Sequence, residues 1–294
     1  MSLSGLSGLS GLSGVMGSTF TPPQVANLHV WFDAASTYVT KDGSDRVSLW
    51  ADRSPNAWDG TGTGSPLPLW QASQLKSNPA MYYAGAQYFD VEAAAATALS
   101  GTDKPFTLFA VVRRTTPVAV NGHVFALTDT VNGIPLVSLT NVATNTPWGA
   151  YRRGDDNSLK SAVTQNAQAD GEWHLLTYNF TGTAVTVRMN GTSVLTTSAL
   201  DAGDATLSRL LIGGAKAGAG ALNSPWIGDM AELIMYARSL GPTEQTQVDK
   251  YLARKYFYAY AQNTTTYLTT PTYDTSGEAL HPSIVYRAAS WNSY

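Results

Sequence analysis

The residues able to do chemistry are few and widely spaced. The closest acidic pairs, Asp155–Asp156 and Asp201 with Asp204, lie among Gly and Asn residues and read as solvated turns. A retaining glycosidase needs two carboxyl groups held about 5–5.5 Å apart, and loose turns do not hold them. His29, His123, His174 and His281 are isolated from one another, so a catalytic triad would have to be assembled from distant parts of the chain. No G-x-S-x-G elbow, P-loop or H-E-x-x-H occurs. Cysteine is absent, which excludes disulfides and cysteine-ligated zinc. The expectation is a protein that is not an enzyme.

Two sets of residues suit binding instead. Trp58 and Trp70 flank a Gly/Thr/Pro-rich loop, and the run from Trp148 through Tyr151, Arg152 and Arg153 combines flat rings with guanidinium donors. That combination is what stacking on a sugar requires; the competing reading is that Trp148 and Tyr151 fill the rim of a core. Asp33, Asp52, Asn56 and Asp229 offer hard oxygen atoms for a calcium ion if their loops converge. Against this, the Asp52–Asn56 stretch also reads as an Asx-type turn satisfying its own backbone. Glu232 interrupts an apolar run, and a buried carboxylate needs a partner, for which Arg238 is the local candidate.

The elements that must position these groups are mostly strands. Leu28–Phe32, Phe106–Val112, Trp173–Tyr178 and Leu210–Ile212 are short apolar or β-branched runs bounded by turn residues. Asp-Gly and Asn-Gly pairs recur between such runs, supplying the positive φ of tight turns. Many short strands at this spacing predict an all-β sandwich. The clearest hairpin turns at Asn190-Gly191 and pairs Val187 with Val194 and Arg188 with Ser193. Trp31, Trp50, Trp173 and Trp226 read as core or near-core. Two helices are expected, a short one over 92–98 and a longer one over 242–256. The longer has Pro at its first turn, Val248, Tyr251, Leu252 and Tyr256 at helical spacing, and Arg254 and Lys255 near its end.

At 294 residues, 44% hydrophobic and 11% aromatic, the chain is long enough for a substantial core. Only 13% of residues are charged and the net charge is −3, with no basic run to neutralise phosphates, so nucleic acid is not an expected partner. The first charged residue is Asp33 and Gly/Ser interrupt every early apolar run, so neither a signal peptide nor a membrane anchor is expected. Residues 1–18 carry a glycine at every third position from Gly5 to Gly17, with Leu3 before them, Leu6, Leu9, Leu12 and Val15 between them, and no proline. Collagen shares the period but needs abundant proline. The arm reads either as a flexible linker or as a segment docking on neighbouring subunits. Residues 258–294, rich in Thr and Tyr, read as an extended tail, leaving 19–257 for the sandwich.

Three blocks carry a family resemblance. Leu28–Ser36 with Val47–Asn56, Gly171–Leu175 with the Asn190-Gly191 hairpin, and Gly228–Leu240 with the following helix stand in the order found in concanavalin A-like (laminin G-like) jelly-roll domains. The resemblance covers residues 20–257 and implies two stacked antiparallel sheets with a C-terminal helix packed on them, glycan or protein binding by surface loops, and often a structural calcium. Members that hydrolyse β-glucans carry a strand with alternating carboxylates, and no such strand occurs here. The glycine-triplet arm resembles those of bacteriophage structural proteins and tail fibres. The ending from Glu278 to Tyr286, with Trp291-Asn292, looks like the opening of a propeller-type module in some phage proteins, of which only the opening is present.

The resulting expectation is a non-enzymatic virion structural protein, as capsid decoration, head fibre or tail-associated protein. It would be assembled in the host cytoplasm and anchored to other virion subunits by its arm. It would be a homo-oligomer, with a trimer suggested by analogy with other triplet-bearing fibres. The alternative is a glycan-binding adhesin module for attachment to a cell surface; a polysaccharide-degrading enzyme is the third and weakest reading.

Overall fold

The computed structural model describes residues 20–115, 121–130, 136–141, 148–164, 171–197, 200–216 and 222–257. The predicted arm, with Leu3, Leu6, Leu9, Leu12 and Val15, and the predicted tail, with His281, lie outside the described residues. Two antiparallel sheets face each other. The eight-stranded sheet runs Thr192–Thr197, Val185–Met189, Trp173–Phe180, Phe106–Arg114, Ile227–Tyr236, Asn78–Ala84 and Leu69–Leu75, with Leu28–Asp33 paired to the second half of Ile227–Tyr236. The nine-stranded sheet runs Leu159–Val163, Trp148–Arg153, Leu136–Asn141, Gly122–Thr128, Arg209–Ile212, Tyr88–Val91, Gly60–Thr63, Val47–Trp50 and Val39–Lys41. This is the all-β sandwich that the turn spacing predicts.

Alternation along the strands sends Phe32, Trp50, Phe89, Phe106, Phe125 and Tyr178 into the space between the sheets. Phe106 stacks on Tyr178 with ring centroids 5.1 Å apart. A second apolar layer covers the outer face of the eight-stranded sheet. There Trp31, Phe109, Val111, Ile234 and Tyr236 pack beneath Val248, Leu252 and Tyr256 of the helix Pro242–Tyr256. Each such helix side chain contributes about 1.5–3 kcal/mol by leaving water, and it is this stripe that docks the helix as a third layer.

The long helix has the predicted bounds. Pro242 opens it, Glu244 Oε2 accepts the Gly241 N–H at 3.1 Å, and Arg254 and Lys255 occupy the last turn, where the macrodipole favours cations. The short helix covers Ala93–Thr97, inside its predicted range.

Two bulges revise the sequence reading. Asn190 and Gly191 both take positive φ, 50° and 80°, as a two-residue hairpin turn of this hand requires. Arg188 pairs with Ser193 as expected, but Val187 pairs with Leu195 rather than Val194. The slip lets two consecutive apolar residues, Val194 and Leu195, both pack against the central core, which strict alternation forbids. The second bulge lies in Ile227–Tyr236, where the register against Phe106–Arg114 shifts between Met230 and Glu232. Met230 and Leu233 enter the core between the sheets, while Ala231 and Ile234 pack under the helix. Glu232 is thereby delivered to the helix side.

Candidate functional site

The predicted sugar-binding residues do not form one surface. Trp148 is 1% exposed and stacks on Trp226, ring centroids 6.1 Å apart, so it offers no face to a ligand. It points inward because its strand alternates from Tyr151, which points out. Arg152 is buried as well, donating to Asp103 Oδ1 at 3.0 Å and lying 4.0 Å over the Phe180 ring. Trp58 is half-buried against the core with His29 at its edge. Trp70 gives its indole N–H to the Ala34 carbonyl and has Lys41 Nζ 4.2 Å above its ring. Tyr151 alone of the five stands half-exposed on the outer face of the nine-stranded sheet.

The predicted calcium ligands are likewise engaged. Asp52 accepts the backbone N–H groups of Trp31, Ser54 and Trp58 at 2.7, 2.8 and 2.9 Å, which is the self-satisfying turn. Asn56 donates to the His29 carbonyl at 2.9 Å. Asp229 pairs with Arg113 at 2.9 Å. Asp33 faces Arg53 and Lys255. Among the described residues no group of three or more His, Asp or Glu side chains gathers as a metal site.

Glu232 sits in a closed charge cluster. Its Oε1 accepts the Trp31 indole N–H at 2.7 Å and the Tyr251 hydroxyl at 3.0 Å; its Oε2 accepts Lys255 at 2.6 Å and the Tyr256 hydroxyl at 2.8 Å. Burial pushes the Glu232 carboxyl above the usual range, Lys255 opposes that, and Asp33 adds to it. The predicted Glu232–Arg238 pair does not form. Arg238 lies beyond the strand, at the start of the helix, and pairs with Glu244 at 2.9 and 2.5 Å. The helix then runs back over the sheet, bringing its last turn, not its first, onto Glu232. The cluster fixes the helix and leaves neither carboxylate free for acid–base work.

The outer face of the nine-stranded sheet is different in kind. Val137 and Leu139 face the core, so Ser138 and Thr140 face out; Leu127 faces in, so Thr128 faces out. Cross-strand pairing places Tyr151 opposite Ser138, Ser138 opposite Ala126, Ala126 opposite Leu211, and Leu211 opposite Asp90. The neighbouring row holds Arg153, Leu136, Thr128 and Arg209, and His123 lies opposite Thr140. Three of these side chains are buried with a hydrogen-bonding atom unpartnered: Ser138 Oγ, Thr128 Oγ1 and His123 Nδ1. Burial lowers the His123 pKa to about 4, keeping the ring neutral and one nitrogen free as an acceptor or donor. Buried polar groups in folded proteins are nearly always satisfied. Only Ser138 lies directly opposite Tyr151, while Thr128 and His123 stand on the strand beyond it. All three are closed to solvent, so the accessible part of the face is Tyr151 with Ser161 and Leu159 towards the sheet edge. Sequence reasoning found Tyr151 but missed Ser138, Thr128 and His123, because only the strand pairing collects them.

A family model described as the concanavalin A-like lectin/glucanases superfamily (Laminin_G_3) matches residues 84–244, more than half of the chain. No curated protein sequence matches it. Among solved structures, the receptor binding domain of botulinum neurotoxin mosaic serotype C/D superposes with a TM-score of 0.54 at 9% identity, over 76% of this chain and 50% of that one. The present chain therefore spans half the length of that toxin domain. Domain 4 of AbnA, a GH43 extracellular arabinanase from Geobacillus stearothermophilus in complex with arabinotriose, gives 0.54 at 16% identity over 76% and 98% of the two chains. A Trypanosoma rangeli sialidase in complex with the inhibitor DANA gives 0.53 at 13% identity over 79% and 35%. At these identities the likeness is one of fold.

Proposed function

The chain belongs to the concanavalin A-like lectin/glucanases superfamily, and on that premise we propose that it is a non-catalytic glycan-binding module whose ligand lies on the outer face of the nine-stranded sheet, against Tyr151. The observation that carries this reading is the Tyr151 ring itself, half-exposed on that face with Ser138 opposite it on one neighbouring strand and the exposed Ser161 opposite it on the other. Sugar hydroxyls both donate and accept, and a pyranose ring has an apolar face that stacks on an aromatic side chain. The arabinotriose held by the Geobacillus domain supports carbohydrate as the ligand class. Absence of hydrolysis is supported by the carboxylates. On this face Asp90 is matched by Arg209 at 3.7 Å, and no second carboxylate lies opposite it among the cross-strand partners described. A glycosidase needs two. The test is a glycan array with the wild type and Tyr151→Ala. Binding weakened by the substitution supports the reading, whereas release of reducing sugar from a bound polysaccharide, or array signal indifferent to Tyr151, refutes it.

A second reading concerns where the module is displayed. Residues 1–18 combine a strict glycine period with regularly placed leucines and no charge, which suits an arm ordered by neighbouring subunits, as in a virion structural protein. Phe20, directly after the arm, packs edge-on to Tyr251 of the helix at 6.4 Å, on the opposite side of the sandwich from Tyr151. An anchor at that end would leave the proposed glycan face pointing away from a particle. Deleting residues 1–18 tests it: lost incorporation into particles with unchanged folding supports anchoring, and unchanged incorporation removes it.

A further inference from the structure

We propose that the ligand of this face is an acidic saccharide whose carboxylate is bound by Arg153. The inference rests on the glycan-binding reading above and specifies its ligand class.

The arginines of this protein are mostly spoken for. Arg53 faces Asp33, Arg113 faces Asp229, Arg152 faces Asp103, Arg188 faces Asp249 and Arg238 faces Glu244. The Arg153 side chain makes no ion pair or hydrogen bond among the described residues, and its Nε is buried without a partner. The carboxylates next to it in the chain are committed elsewhere. Asp155 accepts the Thr206 backbone N–H at 2.9 Å and its hydroxyl at 2.8 Å, while Asp156 accepts the backbone N–H and hydroxyl of Ser158 at 2.9 and 2.7 Å. Asp90, on the same face, is met by Arg209.

An unpaired guanidinium with a desolvated N–H is a costly arrangement that a planar anion relieves, since the fork of donors matches a carboxylate two bonds at a time. Arg153 and Tyr151 are two residues apart on one strand and so share a face. Ser161, opposite Tyr151, and Leu159, opposite Arg153 and 48% exposed, extend it towards the sheet edge. A sugar ring on Tyr151 would therefore place a substituent within reach of Arg153, with hydroxyls turned towards Ser161. Uronic and ulosonic acids have that shape: one carboxylate on a pyranose ring.

The experiment is titration calorimetry of the full chain with four probes: sialyllactose, trigalacturonate, and the methyl ester of each. Esterification removes the charge and keeps the ring. The expected result is binding of at least one free acid, at least tenfold weaker binding of its ester, and an Arg153→Gln variant that binds acid and ester alike. Arg153→Lys should retain part of the preference, because the charge survives without the fork. Equal affinity for acid and ester in the wild type, or an acid preference that survives Arg153→Gln, overturns the inference while leaving the glycan-binding reading standing. Absence of binding by all four probes, together with a blank array for neutral glycans, overturns both. Arg153 is half-exposed, so the variants should keep the wild-type circular dichroism and melting temperature, and that measurement accompanies the titration.

Discussion

Asp33 and Glu232 are direct partners across the antiparallel pair of Leu28–Asp33 and Ile227–Tyr236. Two carboxylates placed opposite each other repel. The arrangement holds because Lys255 Nζ, from the end of the helix, lies 2.8 Å from Asp33 Oδ2 and 2.6 Å from Glu232 Oε2. Arg53 adds a second cation, bound to Asp33 and lying 3.6 Å over the Trp31 ring. The helix is thus fastened to the sheet twice, by its apolar stripe and by a lysine that neutralises a pair the sheet cannot tolerate alone.

Replacing Lys255 by Met tests that fastening. The side chain is 23% exposed and Glu232 is fully buried, so removing the cation leaves uncompensated buried charge and should cost about 3–5 kcal/mol at neutral pH. The pH dependence follows from the direction of the Glu232 shift. Its folded pKa is raised above the unfolded value, chiefly by burial, so its contribution to stability is present below the unfolded carboxylate pKa and is lost as pH rises through the folded one. Without Lys255, which lowers that pKa, the loss at high pH deepens. Urea unfolding of Lys255→Met and wild type should therefore show a gap that is large at pH 7 and narrows towards pH 4; a gap that does not change with pH contradicts the account.

Deletion of Ala231 addresses the bulge that delivers Glu232 to the helix. Removing that residue restores strict alternation with Met230, Leu233 and Met235 still facing the core and Glu232 and Ile234 still under the helix. What is lost is the Ala231 carbonyl, which accepts the Ala34 N–H at 3.0 Å, a cost of about 1–3 kcal/mol. The expected outcome is a lower midpoint in urea with the cooperative unfolding transition kept, and Ala231→Gly should cost about 1 kcal/mol; loss of the cooperative transition on deletion contradicts the account.

The layers, the long helix and the Asn190-Gly191 turn were legible because each rests on a local pattern: alternating apolar residues, a helical stripe behind a proline, two residues that accept positive φ. Glu232 was legible as a buried carboxylate, but its partner was not, since Lys255 is 23 residues away in sequence and arrives only when the helix folds back. A single-residue slip in a strand leaves no local signature either, so the hairpin was read one register out at Val194. The run Trp148–Arg153 misled for a related reason. Aromatic and cationic residues at adjacent positions look like one cluster, whereas in a strand they divide between core and surface, and the face that Tyr151 joins is built from residues on other strands.

Trp148 and Tyr151 separate those two roles experimentally. Trp148→Ala removes a fully buried ring stacked on Trp226 and should destabilise by about 3–5 kcal/mol. The fraction that folds should bind glycan as the wild type does. Tyr151→Ala should leave unfolding within about 0.5 kcal/mol of wild type and weaken glycan binding roughly tenfold, the loss of one stacking contact worth about 1 kcal/mol or more. Paired denaturation and titration measurements distinguish them, and the reverse pattern would return Trp148 to the binding surface.

Thr128→Val and Ser138→Ala probe the orphan hydroxyls. Neither oxygen has a partner, and both residues are 0% exposed, so in the unliganded protein each carries a desolvation penalty of about 1–3 kcal/mol that no hydrogen bond repays. Deleting the hydroxyl removes the penalty: Thr128→Val, which keeps the shape, should stabilise the free protein by about 1 kcal/mol. A ligand stacked on Tyr151 from outside does not reach oxygens closed to solvent, so glycan titration should be unchanged by either substitution. The expected signature is a higher melting temperature in the free protein with the wild-type affinity kept. A substitution that lowers the melting temperature of the free protein contradicts the account of an uncompensated desolvation cost.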